Sequence, residues 1–172
     1  MKITLFTSVL FIGVTILVSC NSENNKQDVS KEKPVEISET RKNGFENDTI
    51  KVILNSNDKM RFDKARIVVR EHSTIVLTLN HTGTMPVTAM GHNFVLLAKG
   101  TSISKFANDA FEADKNQYIP SNQKNNIIAY TDLIGGGETS TITFQAPEKG
   151  VYDFICSFPG HYSIMKGKFV VE

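Results

Sequence analysis

Residues 156–165 read CSFPGHYSIM and bring a thiol, an imidazole and a thioether within ten residues of one another. Four residues separate Cys156 from His161, and three separate His161 from Met165. Residues 151–156, which end at the first residue of this stretch, have the period of two that is typical of a β-strand, with Tyr152, Phe154 and Cys156 on one face and Val151, Asp153 and Ile155 on the other. The pattern therefore predicts a strand that ends at Cys156, followed by a loop that returns His161 towards the same place.

A second imidazole is available upstream, at His92. Two imidazoles, one thiolate and one weak thioether form the ligand set of a mononuclear blue-copper electron-transfer site, because soft sulfur suits Cu(I) and imidazole suits both oxidation states. In the loop, Pro159 fixes one backbone dihedral and Gly160 permits a tight turn towards His161. Zinc also accepts thiolate and imidazole, so the residue types alone leave the metal open.

Period-two alternation of apolar side chains recurs along the C-terminal two-thirds of the chain and predicts an all-β fold. Many short strands separated by turn residues favour a β-sandwich. The predicted strands cover residues 50–54, 60–62, 66–70, 75–80, 94–98, 127–130, 141–145, 151–156 and 168–171.

One segment departs from this alternation and predicts a short helix over residues 102–111. Ser102 is a suitable N-cap, because its hydroxyl can accept a hydrogen bond from a free amide of the first turn. The apolar side chains then recur at helical spacing, at Ile103, Phe106, Ala107 and Ala110. We expect this helix to be inserted between two strands.

The N-terminus predicts export. Residues 1–19 are predicted to be a signal peptide, because Lys2 is followed by an apolar run over residues 3–18 that is short for a membrane span. The run ends in the sequence LVSC at residues 17–20, which resembles a bacterial lipobox and predicts lipid on Cys20. An uncleaved anchor and ordinary cleavage nearby are the alternatives. Lipidation would leave Cys156 as the one free thiol of the mature chain.

Between Cys20 and the predicted strands, residues 20–48 contain few apolar side chains and predict a disordered tether. Residues 49–172 form the predicted domain, which is long enough for one hydrophobic core. Lys and Arg number 13 there against 11 Asp and Glu. These charges nearly cancel and suggest no concentrated basic patch, so nucleic-acid binding is not expected.

Several motifs together resemble the azurin family of bacterial blue-copper proteins. The two ligand loops match, and so do three further segments, in the same order and over essentially the whole domain. The ligand loops are residues 90–93 and 156–167, and the further matching segments are residues 57–62, 79–83 and 133–138. The resemblance implies an eight-stranded Greek-key β-sandwich, cupredoxin-like, with one short helical flap.

The resemblance also implies a role for each site residue. His92, Cys156 and His161 would be the three strong ligands of one copper ion. Met165 would be a weak axial ligand, with the Gly91 carbonyl opposite.

Two further positions would support these ligands. Asn93 would hydrogen-bond across the two ligand loops, and the backbone N–H groups of Asn93 and Phe158 would approach the Cys156 sulfur. His81 matches a family histidine near the copper; it is either linked to the redox state or simply a hydrogen-bonded buried residue.

The resemblance also implies an apolar docking patch around the edge of His161, although some of its members could instead be core residues. The patch would consist of Met60, Met85, Met90, Phe158, Pro159 and Tyr162. Three features depart from the family. Ile50 and His72 stand where it has a disulfide, no tryptophan is present, and Tyr162 occupies a position that is usually small.

The leading hypothesis is a membrane-tethered carrier of single electrons, with its domain in the periplasm and a monomer as the default. Its partners would be redox proteins such as c-type cytochromes or reductases, which dock transiently. A copper enzyme is not expected, because those enzymes add a His-rich site and only His72 and His81 remain after His92 and His161 are used. Copper storage or delivery stays open as the alternative function.

Overall fold

The computed structural model describes residues 48–172. The expected signal peptide, the lipidated Cys20 and the tether up to residue 47 lie outside these residues and stay predictions. Within the described range, no helix has both the length and the hydrophobicity needed to cross a bilayer.

The described chain contains nine strands. They are β1 (Thr49–Asn57), β2 (Arg61–Phe62), β3 (Arg66–Val69), β4 (Thr74–His81), β5 (Val95–Leu97), β6 (Ile127–Tyr130), β7 (Thr139–Gln145), β8 (Gly150–Ile155) and β9 (Lys166–Val171). Each overlaps one of the nine stretches whose alternation predicts a strand. The all-β prediction is therefore confirmed.

The strands form two sheets with the orders β2-β1-β4-β7 and β3-β9-β8-β5-β6. The pairs β1–β4 and β3–β9 are parallel and the others antiparallel. The eight strands implied by the resemblance become nine. The reason is that the chain leaves the first sheet after Phe62 and joins the second at Arg66, so one edge segment is divided into β2 and β3.

The main core lies between the two sheets. Along β4, Ile75, Leu77 and Leu79 are fully buried, as their alternation requires, and they face Phe154 of β8 and Phe169 of β9 across the sandwich. This interdigitation of two inner faces confirms the predicted sandwich.

The predicted helical insertion is also confirmed, as α2 (Ile103–Phe111), which follows a four-residue helix α1 (Val87–Met90). The Ser102 hydroxyl accepts a hydrogen bond from the Lys105 N–H at 3.4 Å. Phe106 and Ala110 are buried in a second apolar cluster, together with Ile155 on the outer face of the second sheet. Helix α1 was not expected, because four residues are too few to show a helical period.

Three short 3₁₀ helices complete the described elements, at Asp114–Asn116, Ser121–Asn126 and His161–Ser163. The last lies in the loop between β8 and β9. An isolated bridge joins His92 to Ile134 just before β5. The loop and the bridge bring the sequence-predicted ligands together.

Candidate metal centre

Three potential ligand side chains converge at one end of the sandwich. The donor atoms of His92, Cys156 and His161 all lie within 4.8 Å of one another. The Cys156 sulfur is 3.6 Å from Nδ1 of His161 and 4.0 Å from Nδ1 of His92. Cys156 and His92 are fully buried, and His161 is 3% exposed. No other His, Cys, Asp or Glu of the described residues belongs to this group.

The loop after β8 is closed by its own backbone. Gly160 adopts φ +79°, where a side chain would be strained, and Met165 donates its N–H to the His161 carbonyl at 2.8 Å. The Met165 carbonyl in turn accepts the Cys156 N–H at 2.9 Å. These two backbone bonds place Met165 beside Cys156 and His161, and its side chain is fully buried.

His92 reaches the sulfur from a different part of the chain. Its backbone N–H and carbonyl both pair with Ile134 at 2.9 Å, which fixes the position of the residue. Its Nε2 lies 3.0 Å from the Asn57 carbonyl and must donate to it, because a carbonyl only accepts. Nδ1 is then unprotonated in the neutral ring, with its lone pair available beside the sulfur.

Gly91 allows the two ligand loops to approach closely. Its carbonyl is 3.8 Å from the Cys156 sulfur. A Cβ at this position would lie 2.6 Å from the Val87 carbonyl oxygen and 2.9 Å from the Phe158 ring. Only glycine therefore fits here without displacing backbone or the aromatic ring.

Asn93 joins the two loops through Ser157. Its Oδ1 accepts the Ser157 N–H at 2.8 Å, and its Nδ2 donates to the Ser157 hydroxyl at 2.8 Å. Both residues are buried, so these bonds have no competition from water. The sequence comparison singled out Asn93 but not its partner.

Burial keeps the three donors uncharged. It raises the pKa of the Cys156 thiol to about 12, against backbone N–H groups of Asn93 and Phe158 that favour the thiolate. Burial lowers the pKa of His161 to about 4, with help from His92 and His81, and it lowers the pKa of His92 as well. At neutral pH both imidazoles are therefore free to coordinate, and only the thiol must lose a proton.

His81 stacks on His92, with ring centroids 4.4 Å apart and an interplanar angle of 18°. Its Nδ1 accepts the Gly83 N–H at 3.0 Å, so in the neutral ring Nε2 carries the proton and donates to the Met90 carbonyl at 3.0 Å. Both nitrogens are thus occupied by backbone. A link between His81 and the redox state stays a prediction.

The predicted docking residues lie partly at the surface. Met85 is 37% exposed, and the other five are half-buried, namely Met60, Met90, Phe158, Pro159 and Tyr162. The Phe158 ring lies 4.6 Å from that of His161. Tyr162 also packs against the cluster beneath α2. Phe158 is thus in contact with His161. We call the six residues the apolar rim, and both their arrangement around His161 and their role in docking stay predictions.

Sequence reasoning missed residues that act through backbone or through long-range contacts. Asn57 contributes only its carbonyl, which no side-chain pattern reveals. The Tyr118 ring packs edge-on against Phe158, with centroids 5.1 Å apart, although 40 residues separate them in sequence. Gln117 accepts a bond from Asn93 at 3.4 Å. Of these residues, only Asn57 had a signal in the sequence, because it lies in the segment 57–62 that matches the azurin family.

The donor set fits one copper ion. It combines a thiol with two imidazoles whose Nδ1 atoms face the sulfur, inside a site that excludes water. One thiolate and two imidazoles suit copper in both of its common oxidation states. The Asn57 and Asn93 contacts hold the surrounding loops in place, as outer contacts of metal ligands commonly do.

Comparison with known proteins agrees with this geometry. The sequence model for "Copper binding proteins, plastocyanin/azurin family" matches residues 48–172. The chain is similar to an azurin of Alcaligenes faecalis, with 42% identity over 121 residues, 67% of this chain and 93% of that protein. It is also similar to outer membrane protein H.8 of Neisseria gonorrhoeae, with 40% identity over 117 residues, 66% of this chain and 62% of that protein.

A solved structure shows the same likeness in three dimensions. It is that of auracyanin A, described as a "blue" copper protein from the green thermophilic photosynthetic bacterium Chloroflexus aurantiacus. The TM-score is 0.66 and the identity 31%, over 72% of this chain and 99% of that one. The sandwich, the His-Cys-His group and these likenesses agree, and the chain belongs to the plastocyanin/azurin family of copper-binding proteins, as an azurin-like cupredoxin.

Proposed function

We propose that this protein carries single electrons between redox proteins while a lipid anchor holds it at a membrane. His92, Cys156 and His161 would bind one copper ion, and Met165 and the Gly91 carbonyl would be weaker ligands. The observation that carries the proposal is the buried group of three donor atoms within 4.8 Å. Copper bound there supplies a Cu(I)/Cu(II) couple that exchanges one electron.

The chain's own residues keep the site unchanged while an electron moves. Asn93 ties the loop of His92 to the loop of Cys156, and Asn57 holds the His92 ring from behind. The backbone N–H groups of Asn93 and Phe158 hydrogen-bond to the sulfur and favour its thiolate form. A ligand set that is already fixed requires little rearrangement, which favours fast electron transfer over chemistry on a substrate.

The electron would pass through the edge of His161. This ring contacts Phe158 in the apolar rim, and His161 is 3% exposed, whereas His92 is fully buried. A partner that covers the rim would approach the ligand directly. A carrier must also leave its partner, so we expect weak, transient docking to c-type cytochromes or reductases, with the protein itself monomeric.

The lipid anchor rests on the sequence of the N-terminus. LVSC at residues 17–20 would place lipid on Cys20, and residues 21–48 would tether the domain in the periplasm. The similar H.8 protein is named an outer membrane protein, which is consistent with a carrier held at an envelope membrane. The full-length protein made in cells that are fed labelled palmitate should incorporate the label, and the Cys20→Ser variant should not. Equal labelling of the two proteins would contradict lipidation of Cys20.

Electron exchange separates the carrier from the alternative of copper storage or delivery. The copper-loaded protein should take up one electron per chain and pass it to a ferric c-type cytochrome, with copper still bound afterwards. Stopped-flow absorbance follows the cytochrome, and a Cu(I) chelator in the same cuvette reports any released copper. Rapid capture of copper by the chelator, without reduction of the cytochrome, would favour delivery.

A further inference from the structure

The exposed cations are concentrated at one edge of the sandwich. Six of them occupy two short segments, residues 59–66 and 166–168, and we refer to them as the cationic strip. It consists of Lys59, Arg61, Lys64, Arg66, Lys166 and Lys168, and all six side chains are exposed. The first segment includes β2 and the first residue of β3, and each of these strands lies at one edge of its sheet.

Strand pairing makes the strip continuous. Arg66 of β3 is directly opposite Lys168 of β9, and the Ala65 carbonyl accepts the Lys168 N–H at 2.9 Å. Arg61 lies on the opposite side of its strand from Phe62, which packs into the core. The strip therefore runs from the outer face of the first sheet, around the edge, to the outer face of the second.

The carboxylates among these cations are already engaged. The Asp58 carboxylate accepts the N–H groups of Thr84 and Met85, at 2.9 and 3.3 Å. Asp63 pairs with Lys64, and Asp153 pairs with Lys168. No ion pair involves Lys59, Arg61, Arg66 or Lys166 anywhere in residues 48–172.

Charge is thus separated across the molecule. The strip and its neighbourhood contain six cations and three carboxylates, whereas the remainder of residues 48–172 contains seven cations and nine carboxylates. A positive field at one edge attracts an acidic surface and orients it before contact.

The strip is also adjacent to the metal centre. Lys166 directly follows Met165. Arg61 is opposite Asn57, whose carbonyl holds the His92 ring. An acidic surface drawn to the strip would therefore lie beside the ligand loops and the apolar rim.

We propose that the cationic strip is the docking surface for an acidic face of a redox protein, which it orients so that the partner's redox centre comes close to His161. This inference rests on the proposed function and adds the charge of the partner. An anionic bilayer is the weaker candidate. The strip bends around the edge of the sandwich, so a flat surface would reach only part of it, and a bilayer in that place would obstruct the rim.

The test uses the copper-loaded protein and two c-type cytochromes of similar potential, one acidic and one basic. Stopped-flow experiments at low ionic strength give the second-order rate constant of electron exchange. Reversing two charges, in Arg66→Glu/Lys166→Glu, should slow exchange with the acidic cytochrome by about tenfold and accelerate it with the basic one. The milder Arg66→Gln/Lys166→Gln should shift both rates in the same directions by less.

The matched control is Lys51→Glu/Lys124→Glu, which changes the same number of charges at two exposed positions outside the strip. Its rates should stay near those of the unaltered protein. Copper content and the visible spectrum verify that each variant folds. Equal rates for the strip and control variants would overturn the proposal but leave electron transfer intact.

Two other results would also overturn it. The first concerns vesicles of phosphatidylcholine and phosphatidylglycerol. If these vesicles bind the unaltered protein but not the strip variant, while the two proteins exchange electrons with each cytochrome at equal rates, the strip is a membrane-binding surface. The second is an unaltered protein that exchanges electrons with neither cytochrome. That outcome would remove the proposed function together with the inference.

Discussion

His92 and His161 present the same atom, Nδ1, to the same sulfur from two different environments. His92 is fully buried, its Nε2 is hydrogen-bonded to the Asn57 carbonyl, and its ring stacks on His81. His161 keeps 3% of its surface, contacts Phe158, and forms no Nε2 hydrogen bond with any described residue.

The two imidazoles are chemically equal, but the protein holds them in different ways. His92 is held from three sides and fixes the geometry of the centre. His161 is held mainly by its own loop, and under the proposed function its ring is the route to a partner. The rigidly held imidazole of His92 and the more accessible imidazole of His161 therefore both lie beside the Cys156 sulfur.

Replacing Cys156 by Ser should have the largest effect, because both imidazoles then face a much weaker ligand. We expect complete loss of the intense thiolate-to-copper absorption band, measured on the Cu(II)-loaded protein. Ser163→Ala is the control, since Ser163 lies in the same loop but is exposed. A Cys156→Ser variant that stays blue would rule out the sulfur as a ligand.

Removing each imidazole in turn tests the asymmetry itself. His161→Gly should leave a gap that opens at the surface, so added imidazole should restore the blue band. His92→Gly leaves its gap in the interior, behind Asn57 and His81, and imidazole should restore little. The measurement is absorbance against imidazole concentration. Equal restoration in both variants would show that the two ligands do not differ in access.

Copper affinity should depend on pH through Cys156. The folded thiol has a pKa of about 12 and His161 one of about 4, so binding between these values releases one proton, from the thiol. The apparent affinity should rise about tenfold per pH unit from about pH 5 to 9, since the ligand must be deprotonated. Competition against a chelator at several pH values measures the slope. An affinity that does not change with pH would mean that copper binding does not release the proton of the Cys156 thiol.

Asn93→Ala should weaken the connection between the two loops. It leaves the buried N–H of Ser157 without a partner, which costs about 1–3 kcal/mol in the free energy of unfolding. Asn80→Ala is the matched control, because Asn80 hydrogen-bonds to Asn55 and Thr139 on the outer sheet face, at a cost of about 1 kcal/mol. Denaturant titration of the apoproteins compares the two. A smaller cost at Asn93 than at Asn80 would contradict its bridging role.

Met165→Leu should have the smallest effect. Copper should stay bound, and the reduction potential should rise, because a weak donor to Cu(II) is lost. Protein-film voltammetry measures the shift, with Ile164→Leu as the control at an exposed neighbouring position. An unchanged potential in Met165→Leu would mean that Met165 is not an axial ligand.

The sequence predicted one half of this centre better than the other, for a physical reason. Cys156, His161 and Met165 belong to one loop, whose spacing alone predicts their proximity. His92 lies 64 residues before Cys156, so no local spacing connects it with that loop; its residue type suggested it as a ligand, and the resemblance to known motifs supported it. The structure joins them through the bridge from His92 to Ile134, a backbone contact that leaves no trace in residue types.

The same distinction applies to the fold. Alternation along β4 and β8 and the Ser102 cap of α2 are local signals, and they predicted these elements correctly. Helix α1 and the division between β2 and β3 depend on tertiary packing and on the crossing between sheets. The Asn57 carbonyl and the Tyr118–Phe158 contact were missed for the same reason.

Copper binding by Cys156, His92 and His161 is tested most directly by the visible absorption and electron paramagnetic resonance of residues 48–172 loaded with Cu(II). A copper ion held by Cys156 between His92 and His161 should give an intense blue band and a small parallel hyperfine splitting. A pale protein with an ordinary splitting would contradict the account, because copper would then not be bound by the Cys156 sulfur in this geometry.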